Sequence, residues 1–501
     1  MHSVKRLGFT VVKNALANIV RGGASAIVAI ALPHFLTHAL SVDRFAAWVL
    51  MLQIAACSNY LDFGIQTAIA RFVAQAMERG DDERRDRIVS TALAFLILAA
   101  ALALLISALV VWIIPHLFHG APLHLIGELR GGVMVLSAGA AILLPLSTFT
   151  GILVGLHRNE YPALAIGTTR LLGAGAVLMA IHFTSSLVVL ACCIAGFNLL
   201  GGLVQYLFCS RLLPGMRIRP AFVTRAMAGE LLHYCIGLTA FSFGMLLVGG
   251  LDLTVVGYFS FGNTGYYAIA STAIAFMVGI GGSVYSALMT PLAVLQERGD
   301  HERIRNLILS STRLGSYASL ALIALVLLAG RPMLTFWVGP VYAQHALPVL
   351  EVLLWAQALR LTGSAYSVAL VATAQQNYGI GAALAEGLTN LAASVLGAHF
   401  LGPIGVAWGT LAGAFCGVLW VLLHVMTRVR EIPVDRLAFM REAFFRPTFC
   451  LLPILGYAVL RSRPHLSLAE AGATGSAVLL TALLLFRFGQ IPRFSITRAA
   501  R

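Results

Sequence analysis

Long apolar segments separated by short polar ones recur along the whole chain. Most are near 20 residues in length, which lets an α-helix cross roughly 30 Å of hydrocarbon. The segments are continuous and do not alternate at period two, so a β-barrel is excluded. The pattern predicts fourteen membrane-spanning helices, at residues 14–36, 44–66, 89–115, 131–156, 163–183, 186–210, 235–258, 266–292, 312–338, 347–373, 380–399, 402–426, 447–461 and 473–489.

Composition gives the same answer. Of the 501 residues 59% are hydrophobic, and the mean hydropathy of +0.88 is far above that of soluble globular proteins. The outer loops are short, and no soluble domain is inserted between spans. The sequence therefore predicts an all-α polytopic membrane protein.

The formal charge of +14 follows from the placement of Lys and Arg. Of 34 such residues, 26 fall on one side of the predicted spans and five on the other. Because positive residues stay on the cytoplasmic side, both termini are predicted to be cytoplasmic. The charge thus reflects topology, and no nucleic-acid partner is expected.

Two similar charged stretches follow even-numbered spans. They read "MERGDDERRDR" at 77–87 and "QERGDHERIR" at 296–305. A solvated loop would explain either one alone. Their recurrence six spans apart predicts two pseudo-symmetric six-helix lobes around a central cavity. The predicted parts are an N-lobe at 1–210, a cytoplasmic linker at 211–234, a C-lobe at 235–426, and an amphipathic connection with a final helix pair at 427–501.

Three arginines lie within predicted spans, where a charge is costly unless it meets a partner or a cavity. They are Arg21, Arg170 and Arg360. One interpretation is a structural arginine that snorkels or binds backbone carbonyls. The other is a cationic chamber without matching carboxylates, which would suit the phosphate oxygens of a diphosphate.

The predicted spans also contain carboxylates. Asp252 is the most enclosed and is the candidate for proton or sodium coupling, although pairing with a neighbouring helix is equally consistent with its position. Asp62, Arg71 and Glu351 are structural or gating candidates. We predict no metal site, no cofactor and no enzymatic activity, because metal-protease, nucleotide-binding and serine-hydrolase motifs are lacking in the sequence. The glycine-rich segment 402–417 predicts close helix packing.

Two segments resemble a known family. Residues 14–75 resemble the first two helices of Wzx-type bacterial polysaccharide flippases, and their closest part, "LDFGIQTAIARFVA" (61–74), resembles the family's Asp-Phe-Gly or Asp-Leu-Gly turn followed by an arginine. The second segment, "LDLTVVGYFSFGNTGYYAIA" (251–270), is similar to the family's seventh-helix aspartate and the Gly-Tyr-Tyr segment after it. These flippases belong to the multidrug/oligosaccharidyl-lipid/polysaccharide exporter (MOP) superfamily. The resemblance implies two six-helix lobes around a V-shaped cavity, with Arg21 and Asp252 lining it.

The resemblance also implies a function. A polyprenyl-diphosphate-linked oligosaccharide would be flipped across the bacterial inner membrane by alternating access, alongside proteins of polysaccharide assembly. Three alternatives stay open: a cation-coupled multidrug exporter of the same superfamily, a peptidoglycan-precursor flippase, and a membrane glycosyltransferase or polymerase.

Overall fold

The computed structural model describes residues 22–429, 431–461 and 468–488. All regular elements within these ranges are helical, so the predicted all-α class is confirmed. The helices are α1 (Gly22–Ala39), α2 (Val42–Cys57), α3 (Ile65–Glu78), α4 (Asp82–Leu117), α5 (Leu123–Gly155), α6 (Glu160–Phe183), α7 (Leu187–Leu212), α8 (Arg225–Gly249), α9 (Asp252–Phe259), α10 (Thr264–Ser286), α11 (Met289–Glu297), α12 (His301–Val338), α13 (Pro340–Ala372), α14 (Asn377–Leu401), α15 (Pro403–Trp420), α16 (Met426–Arg428), α17 (Arg436–Met440), α18 (Arg446–Arg461) and α19 (Leu468–Phe488).

Ten helical segments among the described residues are long and apolar enough to cross a membrane. The chain is therefore a multi-pass membrane protein. Two of the predicted spans, 44–66 and 447–461, correspond to α2 and α18, which have 16 residues each. At 1.5 Å per residue, a helix of that length covers only about 24 Å.

The prediction of one continuous helix over 44–66 is wrong. Helix α2 ends at Cys57, a short 3₁₀ turn follows, and Phe63 and Gly64 both adopt left-handed backbone conformations with φ of 52° and 75°. A helix cannot continue through two such residues. Gly64 is also needed for space, because a Cβ there would lie 2.6 Å from the Cβ of Leu238.

The predicted seventh span, 235–258, is likewise interrupted. Helix α8 begins at Arg225, ten residues earlier than predicted, and ends at Gly249. The backbone bends at Gly250 and Leu251 before α9 begins at Asp252. The predicted coupling aspartate therefore lies at a helix break rather than within a continuous helix.

The described residues fall into two compact units, within Met1–Thr272 and Ala273–Arg501. Each has its own apolar core. In the first unit α3, α4, α5 and the start of α8 meet around residues such as Ile69, Ile88 and Ile152. In the second, α10, α11, α12, α13 and the segment after α15 meet around Tyr366 and Phe439. The predicted lobe boundaries stay a prediction.

The repeated Glu-Arg-Gly-Asp sequence forms the same turn in each unit. Gly80 and Gly299 have φ of 65° and 64° and end the preceding helix. The next residue, Asp81 or Asp300, bonds through its N–H to the carbonyl five residues back, in both cases at 3.0 Å. Its carboxylate then caps the following helix by accepting from a backbone N–H, at 2.8 Å and 3.1 Å. This combination of glycine stop and aspartate cap explains why the four residues occur twice.

The helices that follow also repeat in length. Helices α4, α5 and α6 have 36, 33 and 24 residues, and α12, α13 and α14 have 38, 33 and 25. The turn between the last two helices of each set again matches, since His157 and Ala374 have φ of 59° and 58°. The two units thus share an internal repeat of three helices of similar length and two turns.

The first charged stretch has a role that the second lacks. Arg85 and Asp86 form a buried ion pair at 2.7 Å, with side chains 4% and 8% exposed. Asp86 also accepts from the backbone N–H of Arg217 at 3.1 Å, and Ser90 accepts from that of Arg219 at 3.2 Å. In the second stretch the position equivalent to Arg85 is Ile304, which is fully buried. The first stretch therefore fixes the connection between α7 and α8.

Candidate functional site

At each helix break of the first unit, a side chain from a neighbouring helix bonds to a backbone carbonyl. At the first break, the hydroxyl of Thr239 on α8 donates to the carbonyl of Phe63 at 3.2 Å. At the second, the Gln53 side chain on α2 donates to the carbonyl of Gly250 at 2.5 Å, and the Cys57 thiol lies 3.7 Å from the same oxygen. Interrupted helices in membranes need such partners, because lipid offers none.

Asp252 is the first residue of α9. The hydroxyl of Tyr267 on α10 donates to its Oδ2 at 3.2 Å. The N-terminus of a helix carries partial positive charge, which favours a carboxylate there. Discontinuous helices of this kind form ion and substrate sites in transporters. The geometry is compatible with the predicted coupling role, which stays a prediction.

Asp62 and Arg71 make contacts that hold α3 in place. Asp62 accepts at 3.3 Å from the backbone N–H of Gln66, in the first turn of α3. The Arg71 guanidinium lies 4.9 Å from the ring centroid of Tyr234 on α8, a cation–π geometry. Both contacts stabilise the turn beside the first helix break, and their gating role is a prediction.

The second unit contains an ion pair within its helices. Arg360 Nε on α13 lies 2.5 Å from Glu386 Oε1 on α14, and the side chains are 23% and 17% exposed. The prediction that the arginines lack matching carboxylates is therefore wrong for Arg360. Glu386 was missed among the intramembrane carboxylates, although its place in the predicted span 380–399 was a visible signal.

The pair lies deep in the unit. Arg360 is 12 residues from the end of α13 and Glu386 is nine residues from the start of α14. At 1.5 Å per residue these offsets are about 18 Å and about 14 Å. Both values approach half of the roughly 30 Å hydrocarbon thickness, so snorkelling to an interface is difficult.

Glu386 stands at one end of a tightly packed helix pair. On α14 it is followed by Asn390 and Ser394 on the same face, and α15 opposes them with a glycine at every fourth position, 405, 409, 413 and 417. A Cβ at Gly413 would lie 2.7 Å from Asn390 Cβ, and one at Gly417 would lie 2.7 Å from Glu386 Oε2. The predicted close packing of this glycine segment is confirmed.

Polar groups in this interface bond to one another. The Ser394 hydroxyl is 2.9 Å from Asn390 Oδ1 and 3.2 Å from the carbonyl oxygen of Val406. Thr410 donates to the same carbonyl at 3.1 Å. These side chains are at most 2% exposed. A buried polar stripe therefore extends from Glu386 along α14.

The other predicted site residues have separate environments. Arg21 lies outside the described residues. Arg170 is exposed on α6 and its Nη1 donates to Ser25 Oγ on α1 at 2.6 Å. Glu351 is half-buried on α13. The predicted chamber of three arginines stays a prediction.

The first unit also has a groove of about 640 Å³ beside the first helix break. Its lining is almost wholly apolar and includes Phe63, Phe95, Ile236 and Phe243. Such a surface suits hydrocarbon rather than a phosphate or a sugar.

The chain is similar to known proteins in part of its sequence and in its fold. Residues 168–347 match the family model described as "Polysaccharide biosynthesis protein". No curated protein is significantly similar in sequence. Among solved structures, the lipid II flippase MurJ in an inward closed conformation aligns with a TM-score of 0.70 at 14% identity, covering 95% of this chain and 98% of that chain.

The chain has an all-α fold like that of MurJ and of MATE transporters. An inward-facing multidrug-resistance MATE transporter of the MOP superfamily aligns with a TM-score of 0.62 at 18% identity, over 82% of this chain and 98% of that chain. A MOP-superfamily transporter from Pyrococcus furiosus aligns at 0.57 and 15% identity, over 82% of this chain and 94% of that chain. The resemblance to polysaccharide exporters of the MOP superfamily is thereby confirmed.

Proposed function

We propose that this protein flips a polyprenyl-diphosphate-linked oligosaccharide, the repeat unit of a surface polysaccharide, from the cytoplasmic to the periplasmic leaflet. It resides in the bacterial inner membrane with both termini cytoplasmic. Transport proceeds by alternating access, with the diphosphate held by arginines, the glycan in the aqueous cavity and the lipid tail in the bilayer.

One comparison carries the proposal. The alignment with the lipid II flippase covers 95% of this chain, whereas that with the MATE transporter covers 82%. The larger coverage favours a lipid-linked cargo over a soluble drug. The family model described as "Polysaccharide biosynthesis protein" points to glycan as the attached group.

The charges in the helices support an anionic cargo. Arg170 on α6 is exposed, and the Arg360 side chain is 23% exposed, so neither side chain is fully buried. A guanidinium binds two phosphate oxygens at once, which an ammonium group cannot do with the same geometry. Asp252, at its helix break, is the candidate for coupling to an ion gradient.

The test follows lipid-linked glycans in cells depleted of the protein. Mass spectrometry after leaflet-specific labelling should reveal one complete oligosaccharide unit that builds up on the cytoplasmic side. Wild-type protein should relieve the build-up. Arg360→Lys should lower the translocation rate about tenfold, because lysine cannot make the bidentate contact of a guanidinium with phosphate oxygens. Arg44→Gln is the matched control, since Arg44 pairs with Glu128 at 2.9 Å and is also 23% exposed.

The second candidate is a peptidoglycan-precursor flippase, which the alignment with the lipid II flippase favours. Accumulation of that precursor in depleted cells, with surface-glycan intermediates unchanged, would replace the leading proposal. Unchanged lipid-linked pools together with hypersensitivity to cationic drugs would favour a multidrug exporter instead.

A further inference from the structure

The ion pair in the second unit raises a problem for anion binding. Arg360 is already occupied by Glu386 at 2.5 Å, so a diphosphate must share or replace that carboxylate. Two anionic groups cannot both hold one guanidinium within the membrane without strong mutual repulsion. Cargo binding and the charge of Glu386 are therefore linked.

We propose that Glu386 competes with the cargo diphosphate for Arg360, and that the carboxylate takes up a proton when the diphosphate binds. This inference rests on the proposed function, because it assigns regulation to the same cationic site. Proton uptake neutralises a carboxylate that would otherwise be left unpaired at mid-membrane depth. Release of the cargo on the far side restores the ion pair and returns the proton.

Glu386 is held by fewer charged groups than a buried carboxylate elsewhere in this unit. Its Oε2 lies against Gly417, where an added Cβ would be 2.7 Å away. Glu442 in the same unit provides the contrast: its side chain is 6% exposed and contacts Arg313, Arg441 and Arg446. A carboxylate held by three guanidinium groups is fixed, whereas Glu386 is 17% exposed and bonds to Arg360 from α13.

Linkage fixes the sign of the pH effect. If binding of the diphosphate is accompanied by uptake of one proton, affinity rises as the pH falls, by up to tenfold per pH unit. The same linkage carries one proton outward with each cargo molecule, so an inward proton gradient would oppose this step, and another source must drive export.

Titratable groups on the elements that pack against α14 define the controls. The described elements packed against α14 are α13, α15 and the π-helical turn Val421–Val425. Besides Arg360, they carry Tyr342, His345, Glu351, Tyr366, Cys416 and His424. His424 stacks on Trp420 with ring centroids 4.4 Å apart. Because an imidazole titrates near neutral pH, His424→Gln is the control for a histidine effect.

The experiment measures binding of undecaprenyl diphosphate to the full-length protein in nanodiscs at pH 6 and pH 8. We expect wild-type protein to bind at least tenfold more tightly at pH 6. Glu386→Gln should bind more tightly than wild-type protein at pH 8, and its affinity should lack the increase at pH 6 that wild-type protein shows beyond the titration of the probe. Titration of the probe itself is common to both proteins, so the comparison between them isolates Glu386.

Matched variants separate the ion pair from general effects. Glu128→Gln removes the carboxylate of the Arg44 pair, whose side chains are 23% and 26% exposed, and should leave the pH dependence unchanged. His424→Gln should do the same. As a second measurement, wild-type protein in weak buffer should take up about one proton per bound lipid, a readout that does not depend on any variant folding.

The outcomes separate the two proposals. Wild-type binding without proton uptake, or a Glu386→Gln variant with the wild-type pH dependence, overturns the inference and leaves the proposed function in place. Wild-type protein that binds undecaprenyl diphosphate at neither pH overturns the proposed cargo and the inference together.

Discussion

Gly64 offers the sharpest test of the first helix break. Its φ of 75° places it in the left-handed region, and an added Cβ would lie 2.6 Å from Leu238 Cβ on α8. The left-handed conformation costs a non-glycine residue about 1–2 kcal/mol. Forcing an extra methyl group into a packed interface adds about 1–3 kcal/mol. Gly64→Ala should therefore lower the free energy of unfolding by about 2–5 kcal/mol.

A second glycine isolates the backbone part of this cost. Gly80 has a similar φ of 65°, but an added Cβ there would meet nothing within 4 Å. Gly80→Ala should cost only about 1–2 kcal/mol. Thermal and denaturant unfolding of both variants in the same detergent gives the comparison. Equal destabilisation would refute the close approach of the first break to α8.

Further predictions concern three other contacts, each measured by unfolding of the purified variant. Arg85→Ile introduces the residue found at the equivalent position of the second repeat and should lower the free energy of unfolding by about 3–5 kcal/mol, because the neighbouring aspartate stays buried without its partner. Arg303→Ala removes an exposed ion pair and should lower it by at most about 1 kcal/mol. Gly409→Val should cost about 3 kcal/mol by separating α14 from α15, while Gly363→Ala, in open space, should stabilise its helix by about 0.5–1 kcal/mol. Gln53→Leu removes the main donor to the second break and should cost about 1–3 kcal/mol; no loss would show that another group satisfies that carbonyl.

The membrane spans could be predicted because a run of about twenty apolar residues matches the thickness of the hydrocarbon core when it forms a helix. The helix breaks could not be predicted in the same way. Phe63 adopts a left-handed conformation that its side chain disfavours, and its carbonyl accepts from Thr239 on α8, a tertiary contact that the local sequence does not reveal. The pair Gly249–Gly250, separated from Asp252 by Leu251, was a local signal for the second break.

The candidate site was only partly accessible from the sequence. Intramembrane charges could be listed by position, but the pairing of Arg360 with Glu386 depends on how α13 and α14 pack. For the charged stretch at 77–87, the sequence predicted solvent exposure where the structure shows burial. Charge runs are usually solvated, yet tertiary contacts with the connection after α7 bury Arg85 and Asp86.

The glycine face of α15 determines which mutations of its codons can be tolerated. Every missense change of a glycine codon introduces a Cβ, and at positions 405, 409 and 413 that atom would lie within 2.7 Å of α14. These codons therefore have no conservative neighbours in the genetic code. In a saturation screen for surviving cells, intolerant positions should therefore recur at every fourth residue of α15.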